Sequence, residues 1–143
     1  MSSTLDLLFL GSGASAPVPE LRCLVRPKKS PLGPCNVCLE AQSNPVSKNI
    51  RGCTSGVIVK QWDDGRRSTI LIDSGKTFLG SAVKQLPKND ISRVDAVFLS
   101  HIHADATQGL DDLRMFTLAN EIQTSIDVYA DRATHDAVAR RYP

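Results

Sequence analysis

A mixed α/β fold of the α+β kind, one sheet with helices on one face, is the class this sequence predicts. Three observations carry that prediction. Two β-rich runs, Thr54 to Trp62 and Ser68 to Asp73, flank Asp63-Asp64-Gly65, the signature of an antiparallel hairpin. After the hairpin, strand patterns alternate with helical ones, which adds helices over a mixed sheet. The 143 residues are 41% hydrophobic and 22% charged, an ordinary globular composition with core enough for a single domain over residues 1–143.

Taken in order, Leu5 to Leu10 forms the first strand and Gly11-Ser12-Gly13 ends it. Gly11-Ser12-Gly13-Ala14-Ser15-Ala16 satisfies the G-x-G-x-x-G/A spelling of a dinucleotide-binding turn. Such a turn needs a helix directly behind its glycines, aimed at pyrophosphate. Pro17, Pro19, Pro27, Pro31 and Pro34 follow instead, and prolines at that density do not continue a helix. The glycines are expected to let a loop turn tightly beside a site.

Residues 14–53 read as a cysteine-containing loop insertion, with at most a short helix over Val37 to Gln42. A structureless stretch of that length calls for a function or a clamp. Beyond the hairpin, Phe78, Leu79, Ala82, Val83 and Leu86 share one helical stripe, predicting a helix over Thr77 to Leu86 that Pro87 stops. A strand leads into His101. Helix is expected from Gly109 to Ala119, strand from Ser125 to Ala130, and helix from Ala133 to Arg141.

The formal charge of +2 is too small to argue for nucleic acid, though it does not exclude it. No apolar run approaches the ~20 residues a membrane span requires. Met1-Ser2-Ser3-Thr4-Leu5-Asp6 lacks a basic start and carries an Asp within the apolar run, so no signal peptide is expected. A cytoplasmic protein follows as the expectation. In a reducing compartment Cys23, Cys35, Cys38 and Cys53 are buried thiols, a redox pair or a metal site rather than a disulfide framework.

His101, His103 and Asp105 fall at alternate positions behind the apolar run Ala96-Val97-Phe98-Leu99. In a helix His103 would point away from the other two. In an extended segment all three share one side, with Ile102, Ala104 and Ala106 on the other. Imidazole nitrogen and carboxylate oxygen are ligands that zinc and similar divalent ions take. The competing account is a polar strand end with two solvated histidines.

Asp73 closes the run Thr69-Ile70-Leu71-Ile72 as His101 follows its own strand, so it either orients a metal-bound histidine or begins the turn through Ser74-Gly75. Cys35-Asn36-Val37-Cys38 is half of a zinc site with Cys23 as a third thiolate. A closed structural site needs four ligands, and no fitting fourth lies nearby. Cys53 precedes an apolar strand, where a packed thiol is the commoner outcome. His135 is expected to be a solvated helix residue.

The strand ending in His101-x-His103-x-Asp105, followed by Gly109-Leu110-Asp111-Asp112-Leu113-Arg114, resembles the metallo-β-lactamase superfamily. Gly11-Ser12-Gly13 and Leu71-Ile72-Asp73-Ser74-Gly75 match that family's other N-terminal landmarks. Cys23, Cys35 and Cys38 look like the branch containing the cyclic phosphodiesterase of bacterial phosphonate breakdown, where three cysteines and a later histidine hold a structural zinc.

The resemblance covers Leu5 to about Tyr129 and implies an αββα sandwich with a two-metal site, zinc or alternatively manganese. His101 and His103 would bind the first metal and Asp105 the second, with Asp73 and Asp105 as the catalytic carboxylates and Asp73 supporting the histidines. The common motif has a histidine directly after this Asp, as a ligand to the second metal. Here Ala106 stands there, as in a eukaryotic-type branch of the family.

The family's fold is a pseudo-repeat of two halves, and this chain resembles the N-terminal one. A sheet face is then expected to lie exposed, covered by a C-terminal half or by self-association. The function implied is hydrolysis of a small-molecule phosphodiester by activated water, incomplete in this chain alone. The rivals are a non-catalytic zinc-stabilised interaction module and an RNA-processing nuclease of the same superfamily.

Overall fold

The computed structural model describes residues 3–142; Met1 and Ser2, at the head of the stretch read as lacking a signal peptide, and Pro143 lie outside the described residues. Five strands form one sheet in the order β1-β2-β3-β4-β5: β1 (Thr4–Gly11), β2 (Ser55–Gln61), β3 (Arg67–Ile72), β4 (Ala96–Phe98) and β5 (Asp127–Tyr129). The first three pair antiparallel, while β3 with β4 and β4 with β5 pair parallel, so the sheet is mixed. The helices are α1 (Leu21–Leu24), α2 (Asn36–Ser43), α3 (Phe78–Gln85), α4 (Ala104–Thr107), α5 (Arg114–Thr117) and α6 (Arg132–Arg141).

The period of two divides this sheet into unlike faces. On one face Leu10, Val57, Val59, Leu71 and Val97 form the core with Phe78, Ala82 and Leu86 from α3, joined by Ile91, Val94, Leu99 and Leu113. Val57, Leu71 and Val97 are fully buried and adjacent in register. Burying a Val or Leu side chain stabilises by roughly 1.5–3 kcal/mol, so this row is the densest contribution to the fold. On the other face Leu5, Leu7 and Phe9 remain 68%, 56% and 63% exposed. Ile58, Ile70 and Ile72 continue that apolar surface across β2 and β3, and Phe98 stacks on Tyr129 with ring centroids 4.9 Å apart.

Three expectations need correction. The insertion holds two helices, α1 as well as α2, because its ends are pinned side by side. Gly13 N–H donates to Gly52 O at 2.8 Å, and Val18 and Arg51 exchange backbone bonds at 2.9 and 3.0 Å. Second, the helix expected over Gly109 to Ala119 is broken into a 3-10 turn, α5 and a second 3-10 turn. Ala119 and Asn120 take left-handed φ of 54° and 56°, reversing the chain. The reversal delivers the buried Gln123, whose amide accepts from Val94 N–H and donates to Val94 O and Ser125 O. Third, the strand before the histidines ends at Phe98, so the extended geometry expected through Asp105 is absent.

Candidate metal centre

His101 and His103 occupy the loop beyond β4, and His103 is the N-cap of α4 with extended φ and ψ of −65° and 162°. Asp105 lies in the first turn of α4. The three donors converge although the strand alternation that predicted it does not run that far; the helix bends the chain and returns Asp105 towards His101. All three donor atoms lie within 4.8 Å of one another, and His101 Nε2 is 3.7 Å from Asp105 Oδ1. Zinc bonds of ~2.0–2.1 Å in a tetrahedron space two donors about 3.4 Å apart. The donors are close enough to meet one divalent ion or two adjacent ones, with the rings of His101 and His103 edge to face at 86°.

Long-range backbone bonds place this corner. Ser74 N–H donates to Ala106 O at 2.8 Å, Lys76 N–H to Ala104 O at 3.2 Å, and Gly109 N–H to Ser74 O at 2.7 Å. The loop after β3 is thus zipped along α4. The approach is so close that a Cβ at Gly75 would stand 1.8 Å from Asp105 O. Glycine is required there because no other residue leaves the gap.

Asp73 sits at the head of that loop with a left-handed φ of 56°, a region Asp enters more readily than most residues. Its Oδ1 accepts from Ser100 N–H at 2.7 Å and its Oδ2 from the Ser100 hydroxyl at 2.6 Å. The Ser100 oxygen is in turn 2.8 Å from His101 Nδ1. Since that hydroxyl proton goes to Asp73, the Ser100 lone pair accepts from His101 Nδ1–H. The free lone pair of the ring is then on Nε2, which faces Asp105. Asp73 therefore reaches the histidine through Ser100 and lies outside the donor cluster. Its contact with His101 through Ser100 is the supporting position that the resemblance implied for Asp73.

Asp105 Oδ2 accepts from the Ser15 hydroxyl at 2.8 Å. That hydrogen bond, opposed by partial burial and reinforced by the neighbouring imidazoles, holds the Asp105 carboxyl below the usual carboxylate range. Asp105 is accordingly ionised at neutral pH, the form that binds cations. Ser15 and Ser100 were not singled out from the sequence. Ser100 directly precedes His101 and Ser15 ends a glycine turn, but serine is common in both settings.

The second cluster brings together Cys23 at the end of α1, Cys35 as the N-cap of α2, and Cys38 inside α2, with sulfurs within 4.8 Å of one another. Among the described residues it offers three ligands. Partial burial, then contact with Cys38 and Cys35, pushes the Cys23 thiol up to about 11. Hydrogen bonding from Cys38 lowers that of Cys35. Cys53 is absent from the cluster; it is 2% exposed, with its thiol 3.9 Å from Ser15 O, and it packs. His135 is exposed beside Asp136.

The profile of the Beta-lactamase superfamily domain matches residues 68–143. The chain belongs to the metallo-β-lactamase superfamily. Its mixed sheet and helices are the α+β architecture of that superfamily's hydrolases, as the sequence landmarks implied.

A diphosphatase of the PhnP family is 27% identical, matching 97% of this chain and 46% of its own at a TM-score of 0.71. Zinc-bound PqqB from Methylobacterium extorquens shares the fold, at 20% identity, 96% and 40% coverage and a TM-score of 0.64. An octanoyltransferase from Porphyromonas gingivalis is 34% identical over 134 residues, 94% of this chain and 22% of that protein. This superfamily member spans less than half of the solved relatives and about a fifth of the octanoyltransferase. Among its described residues no helix is long and apolar enough to cross a membrane.

Proposed function

We propose that this chain supplies the His101, His103 and Asp105 ligands of a metal-dependent hydrolase acting on a phosphodiester, with zinc as the ion and manganese as the alternative. The observation that carries the reading is the convergence of two imidazoles and an ionised carboxylate within 4.8 Å at the carboxyl end of a parallel strand pair. The likeness to a PhnP-family diphosphatase supports phosphorus as the centre attacked. When bound, a divalent ion brings the pKa of water towards ~7 and offsets charge developing on a phosphoryl oxygen. The chain's own part is to hold the donors. Asp73 and Ser100 fix the His101 tautomer, and Asp105 contributes the anionic ligand.

In this reading Cys23, Cys35 and Cys38 hold a structural zinc that clamps the insertion. We place the protein in the cytoplasm in this reading, a reducing setting in which thiolates stay available to bind zinc. The open apolar sheet face accepts a second sheet, from further polypeptide or a second copy. A hollow of about 470 Å³ lined by Ile58, Ile70, Ile72, Phe98, Leu99 and Ser100 lies on that face. Exposed apolar surface of this extent is costly in water and marks a packing surface. The match to about a fifth of an octanoyltransferase raises a second reading, in which the group handled is an octanoyl one.

The test is hydrolysis of bis(4-nitrophenyl) phosphate and 4-nitrophenyl octanoate by wild type and His103→Ala, with metal content measured alongside. The reading expects at most weak phosphodiester turnover by this chain alone, and loss in His103→Ala of both that turnover and the metal bound outside the cysteines, with the cysteine-bound zinc retained. Octanoate cleavage alone would favour the acyl reading, and equal metal content in wild type and His103→Ala would favour the non-catalytic module.

A further inference from the structure

The hydrogen bond between Ser15 and Asp105 joins residues 90 positions apart, and neither backbone depends on it. Ser15 is placed by its own turn. Gly13 is bonded to Gly52, the Thr54 hydroxyl donates to Gly13 O at 2.5 Å, and a Cβ at Gly11 would stand 1.9 Å from Cys53 O. Asp105 is placed by the pairing of α4 with Ser74 and Lys76. The two segments are therefore delivered separately, and the contact between them acts on the carboxylate rather than on the chain. Ser15 is exposed, so its hydrogen bond competes with water and adds little to stability.

A carboxylate can ligate through either oxygen or through both, and rotation about its last torsion exchanges them readily. Here the oxygens are not equivalent. Oδ2 is engaged by the Ser15 hydroxyl, whereas Oδ1 is turned to the histidine side, 3.7 Å from His101 Nε2. We propose that Ser15 is the positioning residue of Asp105, holding Oδ2 so that Oδ1 is the oxygen left free to meet a metal ion. The inference rests on the metal-site reading above and adds to it a residue from the first loop. It also gives the Gly11-Ser12-Gly13 turn a purpose, since its close packing on Cys53 sets the Ser15 hydroxyl against the metal corner. Outer partners of ligating groups typically alter metal affinity 10–100-fold.

The test is Mn²⁺ titration of the purified protein, followed by loss of the free-ion EPR signal. Mn²⁺ favours oxygen and nitrogen ligands, so the cysteine cluster contributes little. Ser15→Ala is expected to weaken Mn²⁺ binding roughly tenfold or more while leaving the melting temperature unchanged. Ser15→Thr, which keeps the hydroxyl, is expected to restore most of the affinity. Ser12→Ala, in the same exposed turn, is expected to bind like wild type. Wild-type affinity in Ser15→Ala, or equal weakness in Ser15→Ala and Ser15→Thr, overturns the positioning role while the metal site stands. Failure of the wild-type protein to take Mn²⁺ at all overturns both.

Discussion

The two clusters of metal-capable side chains are held in opposite ways. Around His101, His103 and Asp105 the scaffold is complete without an ion: Asp73 and Ser100 fix one ligand, Ser15 another, and three backbone bonds zip the loop after β3 to α4. Around Cys23, Cys35 and Cys38 the scaffold is a four-residue helix, one turn of α2 and a proline-containing loop. The Arg26 guanidinium reaches Cys23 Sγ at 3.6 Å and Gly33 O at 2.7 Å, tying only its own stretch. The first site is pre-organised by the sheet. The second rests on shorter-range contacts within the insertion, so an ion bound there would add folding free energy to the loop.

That contrast breaks most severely at Gly75. Gly75→Ala would drive a Cβ to 1.8 Å from Asp105 O, and backbone on both sides leaves no room to yield. The expected cost is at least about 3 kcal/mol, at the upper end of overpacking losses. The melting temperature should fall accordingly and Mn²⁺ affinity should be lost. A folded Gly75→Ala protein with normal Mn²⁺ binding would show that the zipped loop is not what places Asp105.

The converse break is Cys35→Ser. With one of three thiolates gone, zinc should leave the cluster and the 14–53 insertion should become sensitive to protease. The sheet and Mn²⁺ binding at His101 should survive, because α4 is placed by Ser74 and Lys76 outside the insertion and Ser15 by the pairing of Gly13 with Gly52 rather than by the cysteines. Limited proteolysis with mass mapping reads this directly. Loss of both sites together would mean that the clusters are coupled and the comparison is wrong.

The smallest effect sharpens the picture of the loop itself. Glu40 of α2 accepts hydrogen bonds from Ser47 and from the amides of Asn49 and Asn44, at 2.9 and 3.1 Å for the amides. Those bonds, led by Ser47 and then Asn49, hold its carboxyl below the usual range. A depressed folded-state value contributes stability that is present above the unfolded value of ~4.3 and lost as pH falls through the folded one. In zinc-free protein, amide exchange protection of residues 44–49 should therefore fall on acidification, and Glu40→Gln should lack that dependence. Identical pH profiles in the two proteins would remove Glu40 as the loop's ion-independent anchor.

Much of this molecule is legible along the chain. The first strand over Leu5 to Leu10, the Asp63-Asp64-Gly65 turn and the stripe from Phe78 to Leu86 are local signals, and the structure reproduces them within a residue or two. Residue chemistry likewise marks the donors, because few side chains other than imidazole, thiolate and carboxylate ligate divalent ions. What tertiary structure decided is how those donors are aimed. Asp105 faces His101 because α4 turns it back, not because a strand runs on, and α4 is held by partners around 30 residues away at Ser74 and Lys76. Ser15 and Ser100 gain their roles from contacts 90 and 27 residues distant. The chain reversal at Ala119 and Asn120 similarly serves Gln123 and its bonds to Val94. Periodicity and ligand chemistry are properties of neighbouring residues, whereas a hydrogen bond across the fold exists only once packing has brought its two ends together.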